Sequence, residues 1–195
     1  EDIITQDGTG RNLKGEVVVT VTTDVTGAAV SRELYLGKYE VREITAPHGM
    51  VLTPEPHCVE LVYAGQNVAV TETATSFENE RQKVEISLVK SIEQNECFGI
   101  GNNGEMKNIS FGLFAAEEIV SASGTSVPAN GLVEIISLNE DGMAKIKTDL
   151  PFGSYYVQEL ATDSHYKLSN TKYPVTFAYV GQDTAVVKIA ATTAR

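Results

Sequence analysis

Four residues of three types share the inward parity of apolar stripes, where charged and amide side chains are uncommon. In Tyr39-Glu40-Val41-Arg42-Glu43 the alternation of a strand puts Glu43 on the face of Tyr39 and Val41, and Tyr155, Val157 and Glu159 repeat the arrangement. The stripe Val84, Ile86, Leu88 leads in the same way to Lys90, and Phe77 shares its parity with Asn79. Burying a charge is costly unless it is paired or neutralised, and desolvation favours the neutral forms of both Lys and Glu. A neutral lysine amine is a nucleophile, and a protonated carboxyl beside it can polarise a carboxamide and carry the proton. Lysine Nζ would then bond to asparagine Cγ while ammonia leaves, giving an isopeptide in a single turnover. The same positions also suit a lysine snorkelling from a strand end, with the acids just outside a core.

The elements that must position these residues are strands. Val17-Val19-Val21, Val59-Leu61-Tyr63, Val84-Ile86-Leu88 and Val175-Phe177-Tyr179 alternate with period two and are rich in β-branched and aromatic residues. Asp7-Gly8, Leu36-Gly37, Ala64-Gly65-Gln66, Asn102-Asn103-Gly104 and Asp141-Gly142 punctuate them as turns. No stretch of ten residues carries a helical period. Short strands at this spacing predict antiparallel β-sandwiches.

An internal repeat predicts two of them. Shifted by about 116 positions, Glu1, Ile3, Gly8, Thr9, Gly15 and Val17 fall on Glu117, Ile119, Gly124, Thr125, Gly131 and Val133. Leu34 to Glu43 falls on Leu150 to Glu159, and Tyr63-Ala64-Gly65-Gln66 on Tyr179-Val180-Gly181-Gln182. The second copy carries an additional front segment, 80 to 116, whose counterpart in the first would precede residue 1. The expected domains are 1–79, lacking its N-terminal strand, and 80–195.

Composition excludes several classes. The 195 residues are 42% hydrophobic, enough for a core, and the formal net charge of −11 repels a phosphate backbone, so nucleic acid is not an expected partner. No apolar run approaches the roughly 18 residues of a membrane span. Cys58 and Cys97 form no disulfide framework, and His48, His57 and His165 are scattered, so neither metal nor cofactor is expected. Gly99 to Gly104 fits a dinucleotide pattern but has neither the preceding strand nor the following helix. Asp163-Ser164-His165 reads as a surface loop, because adjacent residues do not generally converge as a triad. The Asn- and Glu-rich loop from Glu93 to Glu105 lacks the acidic spacing of a calcium loop and reads as solvated.

Two stretches carry a resemblance. Gly27-Ala28-Ala29 followed by Leu34-Tyr35-Leu36-Gly37-Lys38-Tyr39-Glu40-Val41-Arg42-Glu43-Ile44-Thr45-Ala46-Pro47-His48-Gly49 resembles the SpaA-like and Cna-protein B-type (prealbumin-like) domains of Gram-positive surface proteins and pilins. The second copy keeps Gly142-Met143-Ala144 and Leu150 to Glu159 but replaces Ala-Pro-x-Gly by Thr162-Asp163-Ser164-His165. The resemblance implies an extracellular, cell-wall-attached stalk, spacer or pilin module. Its partners would be neighbouring domains of the same protein, and it would have no catalytic turnover. It further implies Lys90 as the isopeptide amine, Glu43 and Glu159 as assisting acids, and Asn79 as the carboxamide. The first copy has no matching lysine, and the position of Asn79 in the second is Arg195, so no intramolecular isopeptide bond of the usual kind is expected in this chain. A bond from Asn79 of one molecule to Lys90 of another would need exchanged strands. The alternative function is an adhesin that binds a host protein or glycan through exposed aromatics among Tyr35, Tyr156, Tyr166 and Tyr173.

Overall fold

The computed structural model describes residues 1–120 and 123–192. They are all-β apart from one 3₁₀ turn, Glu105–Asn108, and they divide into two compact units. The first comprises Glu1–Thr45 and Leu52–Glu78, and the second Ala46–Val51 and Asn79–Arg195.

The first unit holds β1 (Ile3–Ile4), β2 (Arg11–Asn12), β3 (Gly37–Val41) and β4 (His57–Leu61). They form two antiparallel ribbons, β1 with β2 and β3 with β4. The second unit holds β5 (Lys83–Val89), β6 (Ser110–Ala115), β7 (Ile119–Val120), β8 (Ser126–Val127), β9 (Leu132–Ser137), β10 (Met143–Ile146), β11 (Gly153–Ala161), β12 (Tyr173–Phe177) and β13 (Val186–Thr192). A three-stranded sheet, β10-β5-β13, and a four-stranded sheet, β12-β11-β6-β9, enclose one core. Its centre is Ile86 and Leu88 of β5, Phe111 and Leu113 of β6, Tyr155 and Val157 of β11, and Val175 and Phe177 of β12. Each such side chain, fully buried, contributes about 1.5–3 kcal/mol of transfer free energy.

The repeat is visible in the register. Gly37, Tyr39 and Val41 pair with Leu61, Val59 and His57, while Gly153, Tyr155 and Val157 pair with Phe177, Val175 and Tyr173, at the same offset throughout. Ile3, 8% exposed, and Ile119, 7% exposed, open matching ribbons, β1–β2 and β7–β8.

Two expectations need correction. Val17 to Val21 is not a strand, and Val17 is 77% exposed. Its counterpart β9 pairs with β6, and at offset 116 β6 has no equivalent within the chain. Alternation gave the strand its faces but no partner. The sheets are also not wholly antiparallel, because β13 runs parallel to β5, Val186 opposite Lys83 through Thr192 opposite Val89. Side-chain alternation does not encode strand direction, so the pattern was silent on this point.

Candidate functional site

Lys90 follows the last residue of β5, whose inward side chains Val84, Ile86 and Leu88 are buried. Its backbone is fixed from across the sheet, where Lys90 N donates to Gly142 O at 2.8 Å. Gly142 has φ 74°, and a Cβ there would lie 2.1 Å from Lys90 O, so only glycine allows the two backbones to meet. The turn that delivers Gly142 is set by Asn139, whose Oδ1 accepts from Asp141 N and Met143 N at 3.1 and 2.7 Å.

Glu159 arrives from the other sheet. On β11 it follows Tyr155 and Val157 on the inward face, opposite Phe111 of β6 and at a bulge before Ala161. Lys90 Nζ stands 3.2 Å from Glu159 Oε1, with side-chain exposures of 21% and 1%. Ser169 N donates to the other oxygen, Oε2, at 2.7 Å. Oε1 has no hydrogen-bond partner among the described residues, so the Lys90 ammonium is the charge that compensates it. An open cleft of about 540 Å³, lined also by Gln94, Met106 and Glu140, gives the amine its contact with water. The two sheets therefore place an amine and a carboxyl together at the end of the core.

Glu43 occupies the equivalent place in the first unit. It is half-buried beside half-buried Tyr39 and Val41, and its Oε2 accepts from Thr53 N at 2.8 Å, the counterpart of the Ser169 bond. Asn79 lies in the second unit, half-buried, its Nδ2 donating to Val51 O at 3.0 Å. Arg195, the position that matches Asn79, lies outside the described residues.

Two buried acids were read from the sequence as loop surface. Asp163, 9% exposed, accepts from Asn108 Nδ2 at 2.6 Å, from His165 N at 3.1 Å, and sits 2.6 Å from His165 Nδ1. The Asn108 amide, with the His165 N–H and ring, holds its carboxyl below the usual range. Ser164 and His165 are exposed, so the surface reading holds for them and fails for Asp163. Glu105, 6% exposed, accepts from Gly101 N at 2.9 Å and Asn103 N at 2.7 Å, and these N–H groups hold its carboxyl low despite burial. The loop from Glu93 to Glu105 is thus latched by the acid at its end rather than solvated throughout. An acid closing a run of glycine and asparagine turn residues was the available signal, since the free backbone N–H groups of such a loop need acceptors. Among the described residues no three His, Cys, Asp or Glu side chains are grouped to hold a metal ion.

A family model described as the SpaA prealbumin-like fold domain matches residues 3–76 and 99–193. The chain belongs to this family. No curated protein matches the sequence. Among solved structures, this SpaA-family chain is similar to the Bacillus anthracis TIE protein, with a TM-score of 0.52 and 24% identity over 87% of this chain and 27% of that one. That likeness extends the shared fold across most of both SpaA segments, while the chain spans little more than a quarter of the TIE protein. The comparison also finds the group B streptococcus pilus 2b backbone protein, with TM-score 0.35 and 14% identity over 76% and 50% of the two chains. GBS52, the minor pilin of Streptococcus agalactiae, gives 0.32 and 16% over 90% and 68%.

Proposed function

We propose that this chain is part of the stalk of a Gram-positive cell-wall surface protein. In this reading residues 1–79 and 80–195 are tandem prealbumin-like spacer or pilin-type modules that turn over no substrate. The observation that carries the reading is the Lys90–Glu159 pair, an amine and an acid held together between two sheets of a SpaA-family sandwich. Such a pair is two-thirds of an isopeptide site. A carboxamide presented from a last strand would complete it. Lys90 Nζ would bond to the amide carbon, ammonia would leave, and Glu159 would carry the proton between them. By analogy with a disulfide, the cross-link would restrain the unfolded chain by about 2–4 kcal/mol.

Position 195, which matches Asn79 by repeat, is Arg, so the repeat assigns no carboxamide to the Lys90–Glu159 pair. The intact mass of the denatured chain is therefore expected to equal the sequence mass, and a deficit of one ammonia would refute this assignment. A covalent dimer on a denaturing gel would instead reveal an exchange bond between Asn79 and Lys90 of two molecules.

The adhesin reading loses its aromatic platform at one of its four tyrosines. Tyr156 is 6% exposed, its ring stacked on Phe114 at 5.1 Å with Lys172 Nζ 4.1 Å from its centre, so it offers no open stacking face. Glycan-array binding that disappears on substituting Tyr35, Tyr166 or Tyr173 by Ala would favour the adhesin over the spacer.

A further inference from the structure

The segment Ala46–Val51 belongs by repeat to the first copy, yet it lies in the second unit. Side chains of that unit hold it. Ala46 N donates to Gln182 Oε1 at 2.9 Å, and the His48 ring lies 4.6 Å from that of Tyr179. The Tyr179 hydroxyl donates to Met50 O at 3.4 Å. Gly49, with φ 87°, sits so close to Phe152 that a Cβ would stand 3.2 Å from its ring. Val51 N donates to Glu80 O and Gln82 N to Gly49 O, at 2.8 and 2.9 Å, so that 49–51 and 80–82 make a short antiparallel ribbon. The acceptor for this ribbon is Phe152, Tyr179 and Gln182.

Offset by 116, the same three places in the first unit are Leu36, Tyr63 and Gln66. Because β3–β4 and β11–β12 share one register, Leu36 and Tyr63 flank their ribbon as Phe152 and Tyr179 flank theirs. Gly65 and Gly181 both turn with positive φ, 106° and 116°, ahead of the two glutamines. In the first unit, however, Leu36 is 48% exposed, Tyr63 is 66% exposed, and Gln66 is exposed.

We infer that Leu36, Tyr63 and Gln66 form a docking surface for the Ala-Pro-x-Gly ribbon of a further prealbumin-like module. A second copy of this chain is a poor donor. Its Ala46–Val51 is already engaged, and its other equivalent segment puts Asp163 in place of the proline and His165 in place of the close-packed glycine. The occupant must have a small residue at the first position, where Ala46 is 7% exposed, and glycine at the fourth, against the apolar side chain. Only the class of the occupant rests on the modular reading above.

A synthetic hairpin peptide that joins the sequences of 45–52 and 79–83 through an Asn-Gly turn mimics the ribbon. It is titrated into the isotopically labelled full chain and followed by NMR. Saturable shifts are expected at Leu36, Tyr63, Gly65 and Gln66, with affinity reduced at least about tenfold, a change of about 1.4 kcal/mol, in the Tyr63→Ala chain and for a peptide with Gly49→His. Absence of saturable shifts, or shifts unaltered by Tyr63→Ala, overturns the inference. So do shifts confined to Phe152, Tyr179 and Gln182, which mean displacement of the chain's own ribbon, and concentration-dependent shifts at Tyr63 without peptide, which mean self-association. None of these failures touches the spacer reading, because that stands on the Lys90–Glu159 pair.

Discussion

Tyr39 and Tyr155 are the same residue of the same motif in two units, and they differ in what covers them. Each hydroxyl donates to the carbonyl four residues earlier, Tyr35 O at 2.7 Å and Pro151 O at 2.8 Å. Each is followed by an acid that accepts the N–H ten residues on, Thr53 for Glu43 and Ser169 for Glu159. Yet Tyr155 is 2% exposed, whereas Tyr39 is only half-buried. Local backbone and hydrogen-bond geometry follow from the local sequence and survive in both units. In the second unit the acid is covered between two sheets, with Phe111 of β6 opposite it and Lys90 beside it at the end of β5, whereas the strands of the first unit form two two-stranded ribbons. The difference teaches that the motif shapes the site and the second sheet makes it dry.

The largest test of that contrast is the tyrosine itself. Tyr155→Ala removes a wholly buried ring and is expected to destabilise the second unit by about 3–5 kcal/mol, and Tyr39→Ala the first by about 1–2 kcal/mol. Urea unfolding, with hydrogen exchange to assign each transition to its unit, reads both. Equal costs would mean that Tyr39 is covered in solution and would erase the distinction drawn between the units.

The buried pair sharpens the comparison next. Lys90→Met leaves Glu159 with Ser169 N alone and is expected to cost about 2–3 kcal/mol, below the roughly 3–5 of a wholly buried pair because Lys90 reaches water. The double variant Lys90→Met with Glu159→Leu should return to within about 1 kcal/mol of the parent, since it removes the orphaned charge along with its partner. If the single variant is as stable as the parent, the carboxylate does not depend on Lys90, and the pair is a surface contact.

Parity alone put Lys90 and Glu159 at the ends of inward stripes, and only the resemblance set them in one site. The repeat too was legible, at one offset for Leu34 to Glu43 and Leu150 to Glu159. What alternation cannot carry is pairing. Val17 to Val21 has the pattern of a strand and no partner, and the parallel run of β13 beside β5 leaves no trace in side-chain period. Asp163 and Glu105 were missed for a different reason. Their burial is bought by hydrogen bonds from Asn108, His165, Gly101 and Asn103, and a polar loop with such internal partners has the composition of a solvated one. Gly142 read as a turn residue, which it is, but its second role against Lys90 O is a tertiary fact.

Acid provides the smallest effect and separates the units once more. Asp163 and Glu105 have folded pKa values below those of the unfolded chain, so the stability they contribute is fully present above the ordinary carboxylate range, about 3.9 for Asp and 4.3 for Glu, and is lost as pH falls through the lowered folded values. Both therefore hold the second unit's loops unchanged from neutrality to about pH 5 and release them below about pH 4. In the first unit the corresponding latch is Asp7, whose carboxyl the Thr5 hydroxyl, then the Thr9 hydroxyl and N–H, pull down to about 2. Its turn should persist in acid to about pH 2. Followed by NMR, the amide of Thr9 is expected to titrate near pH 2, and those of Gly101 and His165 below the ordinary carboxylate values. Asp163→Asn should abolish the titration at His165 while leaving that at Thr9 untouched. A Thr9 amide that titrates at the ordinary value would show that its hydrogen bonds to Asp7 do not persist in water.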